Sequence, residues 1–184
     1  IKREIVHKMI KNISKEDRVS LRKIGVKIGR YHIFLPRMLK PSAVDLRIKL
    51  WKLYFVEDKK YNIPKPGLNF LKDEVKINNK FLLICGFENF GKFYVRVDIL
   101  EKLFLKIIEN NKDNTFKIDS NMINLIGCSK ENFLKLLELM QYKPKKVGEN
   151  KDEFFSYKPK FIKNKVKKVN KDNAFEKLSE LRFR

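Results

Sequence analysis

The amino-acid sequence predicts an α+β protein that is mostly helical, and three observations lead to this prediction. The first is a series of apolar residues spaced three and four apart, which is typical of the buried face of an amphipathic helix. The second is a set of short alternating segments bounded by glycine, which favours small antiparallel strands. The third is the sequence Gly-Cys-Ser at 127–129 between two helical patterns, where glycine can end one helix and serine can cap the next.

The region that organises the chain extends from residue 96 to residue 157. Asp98 is the predicted cap of its first helix, and Glu101 three residues later would complete a capping box. The apolar face of that helix is predicted to carry Ile99, Leu100, Leu103, Phe104, Ile107 and Ile108. Residues 115–118 follow as a predicted short strand.

Two more helices and a hairpin complete this region. Asp119 or Ser120 begins the second helix, and Gly127 ends it. Ser129 caps a third helix that is predicted to stop at residues 143–144. Residues 147–152 form a polar loop, and residues 154–157 form the returning strand. The order helix, strand, helix, tight turn, helix, hairpin predicts a winged helix-turn-helix.

The chain before this region is predicted to be a helical module with a small β-hairpin. Residues 2–13 have the apolar spacing of a short amphipathic helix, and Ser14 is the predicted cap of the next helix. Residues 25–34 alternate apolar and polar side chains, with Gly29 and Arg30 between the two arms, which predicts a small hairpin or two extended segments that meet at a turn.

A long helix and a linker follow the hairpin. Pro41 fits the first turn of a helix that reaches to about Phe55, and its many apolar residues predict that it lies between neighbouring elements. Residues 57–66 predict a linker, and residues 81–87 and 93–97 predict two strands. The predicted division is a helical module with hairpin at 1–60, a linker with short strands at 61–92, the winged helix at 93–160, and a basic tail with a short terminal helix at 161–184.

The charge of the chain indicates the class of its partner. The 184 residues carry a formal net charge of +21 at pH 7, and such a field concentrates polyanions, of which nucleic acid is the commonest in a cell. Lysine, asparagine, isoleucine and phenylalanine are all abundant, as an AT-rich genome would also produce. Individual lysines therefore carry less weight than the overall basic excess.

Position within the predicted fold selects two candidate nucleic-acid-binding sets. The first comprises Lys130, Asn132 and Lys135 on the outer face of the third helix, with Gln141 at its end, and Lys145, Lys146, Lys151 and Lys158 on the hairpin and its exit. The second comprises Arg22, Lys27, Arg30, Tyr31, His32, Arg37 and Lys40, in which an aromatic ring could stack on a base. The competing interpretations are a protein-docking winged helix for the first set and a charged rim around a hairpin for the second.

Catalytic and cofactor motifs are excluded by their surroundings. Gly86 to Lys92 has the spacing of a phosphate-binding loop, but Phe93 stands where Ser or Thr would bind magnesium, and a strand pattern follows, so a hairpin turn is predicted. His7 and His32 lack further ligands at metal-binding spacing. Cys85 and Cys128 are predicted to be reduced, buried thiols.

The sequence contains no recognisable membrane-spanning or targeting segment. No apolar run approaches the roughly 20 residues that span a bilayer, and no signal peptide is recognisable, so a cytoplasmic protein without membrane contact is expected. The first residue is Ile, which predicts that the sequence is a fragment of a longer chain.

Several short segments resemble, in order, one known family. They are Gly-Val-Lys-Ile-Gly at 25–29, Phe-Leu-Pro at 34–36, Leu-Lys-Pro at 39–41, RVDILEKL at 96–103, LIGCS at 125–129 and NAFEKLSEL at 173–181. They are similar to the region that follows the motor in bacterial, chiefly alphaproteobacterial, superfamily-two helicases, which resemble the mitochondrial RNA helicase of the RNA degradosome.

The resemblance implies a carboxy-terminal accessory region of an ATP-dependent helicase in the bacterial cytoplasm. ATP and magnesium would belong to motor domains of the same chain, because no motor motif occurs here and the fragment needs no cofactor of its own. The expected function is non-catalytic nucleic-acid binding, with RNA favoured. The alternatives are a winged helix that docks on a motor or nuclease, and a DNA-binding transcription regulator, which would act as a dimer.

Overall fold

A computed structural model of the chain describes residues 1–55, 63–72, 78–146 and 153–158. These residues form an α+β structure in which about half are helical and the strands make small antiparallel sheets. No helix in these four segments is long and apolar enough to cross a membrane. The predicted tail at 161–184, the predicted loop at 147–152 and residues 57–62 of the predicted linker lie outside the described residues.

The first part of the chain contains three helices and a hairpin. Its elements are α1 (His7–Asn12), α2 (Lys15–Lys23), β1 (Lys27–Ile28), β2 (Ile33–Phe34), a 3₁₀ turn (Pro36–Leu39) and α3 (Pro41–Phe55). Strands β1 and β2 pair antiparallel, which confirms the hairpin. The cap at Ser14 is also confirmed, since its hydroxyl accepts the backbone N–H of Asp17 at 3.0 Å.

The prediction of one helix over residues 2–13 is wrong in its first half. The amino-terminal residues lie along β2 instead: Ile33 donates its N–H to the Ile1 carbonyl at 2.9 Å, and Arg3 donates to the Tyr31 carbonyl at 2.8 Å. Lys2 forms an isolated antiparallel bridge with His32. The open edge of the hairpin supplies these hydrogen bonds, so α1 begins only at His7.

The long helix α3 has the predicted bounds but not the predicted surroundings. Ile48 is buried, and Trp51 packs against Phe81 with ring centroids 5.8 Å apart. The opposite face is open: Leu53 is 76% exposed and Tyr54 is 80% exposed. The prediction that α3 lies between neighbouring elements is therefore wrong for this face, which no described element covers.

A three-stranded sheet follows α3. Its elements are β3 (Phe70–Lys72), helix α4 (Asn79–Ile84), β4 (Phe87–Phe90) and β5 (Phe93–Arg96), with strand order β3-β5-β4. The predicted strand at 81–87 is mostly helix, because the Asn78 side chain accepts the N–H groups of Lys80 and Phe81 and starts α4. A short apolar run in a sequence does not distinguish a buried strand from a buried helix.

The phosphate-loop-like sequence is a hairpin, as predicted. Residues 87–90 are strand β4, and Phe90 pairs with Phe93 across the two-residue turn Gly91-Lys92. Gly91 has a φ of 67°, a backbone conformation that glycine adopts at little cost. No helix begins after Lys92 to present its amino end to a phosphate, since β5 starts there.

The last described region has the predicted order of elements. They are α5 (Val97–Glu109), β6 (Phe116–Lys117), α6 (Ser120–Ile126), α7 (Lys130–Leu139), β7 (Tyr142–Lys146) and β8 (Glu153–Tyr157), with strand order β6-β8-β7. Gly127 is left-handed with φ 76°, and the Ser129 hydroxyl accepts the Asn132 N–H at 3.3 Å, which confirms the turn and the cap. Helix α7 ends earlier than predicted, because Gln141 takes a φ of 71° and turns the chain into β7.

Buried side chains form two clusters. The larger one fills the space between β5, α5, α6, α7 and the last sheet, and includes Leu100, Leu103, Met122, Phe133 and Leu137. The smaller one lies between α3, α4 and β4. Of the predicted apolar face of α5, Phe104 is half-buried and Ile108 is 51% exposed, while the other four residues are buried.

Candidate nucleic-acid interface

The turn of the β1–β2 hairpin is held by a carboxylate from another element. Glu101 of α5 accepts the backbone N–H of Arg30 at 2.6 Å, of Tyr31 at 2.8 Å and of His32 at 2.8 Å. Three successive amide donors around one anion form the kind of concavity that binds anions in proteins, and here the protein fills it with its own side chain. A Cβ atom on Gly29 would collide with this carboxylate.

The predicted capping box on α5 is therefore wrong. Arg96 occupies the cap position, and Asp98 instead receives two hydrogen bonds from the Arg96 guanidinium, at 2.6 and 2.9 Å. Glu101 points away from the helix start and toward the hairpin turn. The hairpin competes successfully for this carboxylate because it offers three N–H donors, whereas a capping box offers one.

His32 belongs to the interior and not to a surface cluster, contrary to the prediction. Its side chain is 2% exposed, and its Nε2 lies 2.8 Å from Oε2 of Glu88. The other carboxylate oxygen of Glu88 accepts a hydrogen bond from Lys2 Nζ at 2.6 Å. Burial alone raises the pKa of Glu88, but the hydrogen bonds and charges of His32 and Lys2 outweigh it and bring the pKa below its ordinary value.

Arg30 and Tyr31 are the members of the second predicted set whose side chains contact Phe104 of α5. The Arg30 guanidinium lies 5.8 Å from the centre of the Phe104 ring, and Tyr31 meets the same ring edge-on at 5.8 Å. The Tyr31 hydroxyl lies close enough to Tyr142 for the two phenols to interact electrostatically. Burial, followed by this neighbour, raises the pKa of Tyr31.

The remaining members of that set are spread over other elements. Arg22 lies on α2, Lys27 on β1 and Arg37 on the 3₁₀ turn, and all three are exposed. Lys40 follows the 3₁₀ turn and is exposed as well. Among the described residues, no hydrogen bond or ion pair joins these side chains to Arg30.

The outer face of α7 is electrically balanced. Lys130 and Lys135 are exposed as predicted, but Glu131 and Glu138 are exposed on the same helix, and Lys135 pairs with Glu131 at 2.6 Å. Asn132 is half-buried, and its N–H is taken by the Ser129 cap. Reasoning from the sequence counted the lysines and left out the two glutamates, whose negative charges offset the positive charges of the lysines on this helix.

Strand β7 carries the lysines of the predicted hairpin. Lys145 is exposed and pairs in register with Phe154, and Lys146 pairs with Glu153. Lys143, which sequence reasoning assigned to the end of a helix, is exposed two positions before Lys145 and so lies on the same face of the strand. The two-residue spacing of Lys143 and Lys145 is the signal from which sequence reasoning could have placed Lys143 on a strand.

The hairpin's exit returns toward the end of α7. Lys158 is exposed, and its N–H donates to the Gln141 carbonyl at 2.9 Å. Lys151, the last member of the first predicted set, lies outside the described residues.

A groove of about 430 Å³ opens between the hairpin turn and this exit, and we call it the Arg30 groove. Its walls come from the amino-terminal segment, the hairpin turn, β4, the end of α7 and the end of β8. The residues that line it include Arg3, Glu4, Arg30, Tyr31, Gln141 and Tyr157. Sequence reasoning selected Arg30, Tyr31 and Gln141 of these as candidates, but not Tyr157.

The described residues contain no group of three or more His, Cys, Asp or Glu side chains arranged to hold a metal ion. Cys85 and Cys128 are free thiols, the first buried and the second half-buried. Burial raises the pKa of each thiol to about 11. No protein-family model, no curated protein and no solved structure matches the chain.

Proposed function

We propose that this chain is a nucleic-acid-binding module, with RNA the favoured ligand, that acts without catalysing a reaction itself. The observation that carries the proposal is the exposed Lys143 and Lys145 pair on β7, an outer strand of its sheet, in a chain of net charge +21. Neither lysine forms an ion pair with another described residue. Both ammonium groups are therefore available to phosphate, and each phosphate contact releases bound counterions from the nucleic acid.

The order of elements from α5 to β8 supports a winged helix as the framework. In such a fold the last hairpin is the wing and the helix before it faces the nucleic acid. Because the outer face of α7 is balanced in charge, we assign the phosphate contacts to the wing and to Arg30, and not to Lys130 and Lys135.

We further propose that the module belongs to an ATP-dependent helicase. The support is the resemblance at 25–29, 34–36 and 39–41, which covers the hairpin and the 3₁₀ turn. ATP and magnesium would then be bound by motor domains of the same chain, and the module would hold the strand at the motor.

Fluorescence anisotropy with labelled single-stranded RNA, single-stranded DNA and duplex DNA, at 50 and 200 mM salt, tests the proposal. If six to ten phosphates are contacted, affinity should fall by roughly 10³- to 10⁵-fold across this range on a duplex, and by somewhat less on a single strand. An affinity that hardly changes with salt would contradict the proposal. A preference for one duplex sequence, bound by a dimer, would indicate a transcription regulator.

A second candidate function, protein docking, is favoured by the open face of α3. Leu46 and Leu50 are four residues apart, and Leu53 and Tyr54 follow Leu50 by three and four residues, so all four share one side of the helix. Each of them is more than half exposed. The partner would be a helicase motor or a nuclease. A complex that survives high salt, and is lost when Leu50 and Leu53 are both replaced by Asp, would support docking.

A further inference from the structure

The Arg30 groove has the size and the lining of a site for one nucleotide. Its volume, about 430 Å³, lies within the range of roughly 300 to 1,000 Å³ that small-ligand sites occupy. A stacked duplex presents no separate base to such a groove, whereas a single strand can turn one base out of its stack. The dimensions therefore favour a single-stranded ligand.

Tyr157 supplies a platform on which a base can stack. Its side chain is 48% exposed although it lines the groove. The ring rests against Tyr142, with centroids 5.4 Å apart and planes inclined by 56°. Tyr142 is itself buried and lies beside Tyr31, so burial holds the support beneath the platform in place. A ring held in place loses little conformational entropy when a base stacks on it.

Two arginines that line the groove supply phosphate donors. The backbone of Arg30 is held by Glu101, and its guanidinium lies over Phe104. Arg3 uses Nη1 to hydrogen-bond the Gly29 carbonyl at 2.9 Å, which positions the side chain and leaves other N–H donors of the guanidinium for a ligand. Lys2 lines the groove as well, but it is already paired with Glu88 at 2.6 Å.

Gln141 also lines the groove and adds a side-chain amide to it. It has a φ of 71°, an uncommon backbone conformation for a residue other than glycine, and such residues concentrate at functional sites. Its backbone is held by Glu138 and Lys158. The side-chain amide both donates and accepts hydrogen bonds, which suits the edge of a base.

From these contacts we infer that the Arg30 groove binds one unstacked nucleotide of a single-stranded nucleic acid. The base stacks on Tyr157 and meets Gln141, and the adjoining phosphate is bound by Arg30 and Arg3. The inference rests on the proposed function, since it names the strand form and the subsite of a nucleic-acid-binding module. Lys158 then lies where the strand leaves the groove.

Replacement of Tyr157 and Arg30 tests the inference with matched controls. Tyr157→Ala should weaken binding of a labelled 12-nucleotide oligouridine by roughly 5- to 150-fold, the usual effect of removing one stacking platform, and Tyr157→Phe should restore it. Tyr54→Ala, at an exposed tyrosine on α3, should leave the affinity for the oligouridine unchanged. Arg30→Ala should weaken binding and Arg37→Ala, on the 3₁₀ turn, should not. Affinity for a blunt duplex should stay within about twofold in Tyr157→Ala, because a stacked duplex presents no separate base to the groove.

A second measurement uses the unaltered protein, so that it does not depend on whether a variant folds. An oligouridine carrying one 5-bromouracil should crosslink under light to the peptides that contain Tyr31 or Tyr157, and the same oligomer made as DNA shows whether the ribose matters. Crosslinks found only elsewhere would overturn the inference, as would unchanged affinity in both Tyr157→Ala and Arg30→Ala. If those variants bind normally while the double variant Lys143→Gln, Lys145→Gln binds weakly, the assignment of a nucleotide site to the Arg30 groove is wrong and the proposed function stands. Absence of all binding overturns both.

Discussion

The carboxylate of Glu101 accepts the backbone N–H of Tyr31 at 2.8 Å, although 70 residues separate the two in the chain. This hydrogen bond and its two neighbours join the hairpin of the first part of the chain to the first helix of the last region. The backbone of Arg30 is held by one of these hydrogen bonds. The stability of the fold and the geometry of the candidate site therefore depend on one carboxylate.

Replacing Glu101 by Gln should destabilise the protein by about 3 kcal/mol, because hydrogen bonds to a charged acceptor contribute roughly 1.5 to 3 kcal/mol each and do not add fully. The amide keeps one acceptor oxygen and turns an NH₂ group toward the remaining donors. Urea unfolding measures the change. Glu109→Gln, at the exposed end of the same helix, is the control and should stay within about 0.5 kcal/mol of the parent. Equal losses in the two variants would contradict this role for Glu101.

Gly29→Ala should cost about 2 kcal/mol, because the new methyl group must displace a carboxylate that three hydrogen bonds hold. The same substitution made in a Glu101→Ala background should cost much less, since the colliding group is gone. Urea unfolding of the four proteins gives the coupling between the two sites. If the free-energy losses of the two single variants simply add in the double variant, Gly29 is needed for a reason other than contact with Glu101.

Acid should destabilise the protein partly through Glu88. Its pKa is lowered from the ordinary value of 4.5, so the stability it contributes is complete above that pH and is lost as the pH falls through the pKa of the folded state. Thermal unfolding between pH 7 and pH 3 should show a smaller acid-induced fall in Tm for Glu88→Gln than for the parent. Glu138→Gln, at an exposed glutamate, should keep the parent's pH profile. A profile unchanged by Glu88→Gln would exclude this carboxylate as a source of the acid sensitivity.

The lysines of β7 should matter more for binding than those of α7. Changing Lys143 and Lys145 to Gln should weaken binding and lower the slope of log affinity against log salt by about one per lysine. Changing Lys130 and Lys135 to Gln should have a smaller effect, because Glu131 already pairs with Lys135. Salt titrations of both double variants make the comparison. A larger loss from the α7 pair would return the interface to the face that the sequence alone predicts.

Both thiols should react slowly in the native protein. Burial raises the pKa of Cys85 and Cys128 to about 11 from an ordinary 9.0. At pH 8 the reactive thiolate is then about one hundredth as abundant as in an exposed cysteine. Alkylation by iodoacetamide, followed by mass spectrometry, should proceed on the order of one hundred times faster in 6 M guanidinium than in buffer. Rates within a fewfold of each other would indicate that the thiols are accessible.

The amino-acid sequence determined those features that depend on a few neighbouring residues. Gly127 can adopt a left-handed backbone and Ser129 can accept an N–H three residues on, so the turn between α6 and α7 follows from local chemistry. The helix that starts at Pro41 and the hairpin at 25–34 were predictable for the same reason. In the candidate site, Arg30 and Tyr31 could be selected as a cation beside an aromatic ring in a turn.

The tertiary structure decided what depends on partners far along the chain. Glu101 has the sequence position of a capping residue, but three N–H groups from the hairpin turn bind it more fully than one helix end could. His32 can be buried because its ring nitrogen pairs with Glu88. One face of α3 stays open because no described element covers it. Tyr157 became a candidate only when the end of β8 was placed beside Arg30. Local propensity acts over one or two turns of chain, whereas burial and pairing are set by which distant groups arrive at the same place.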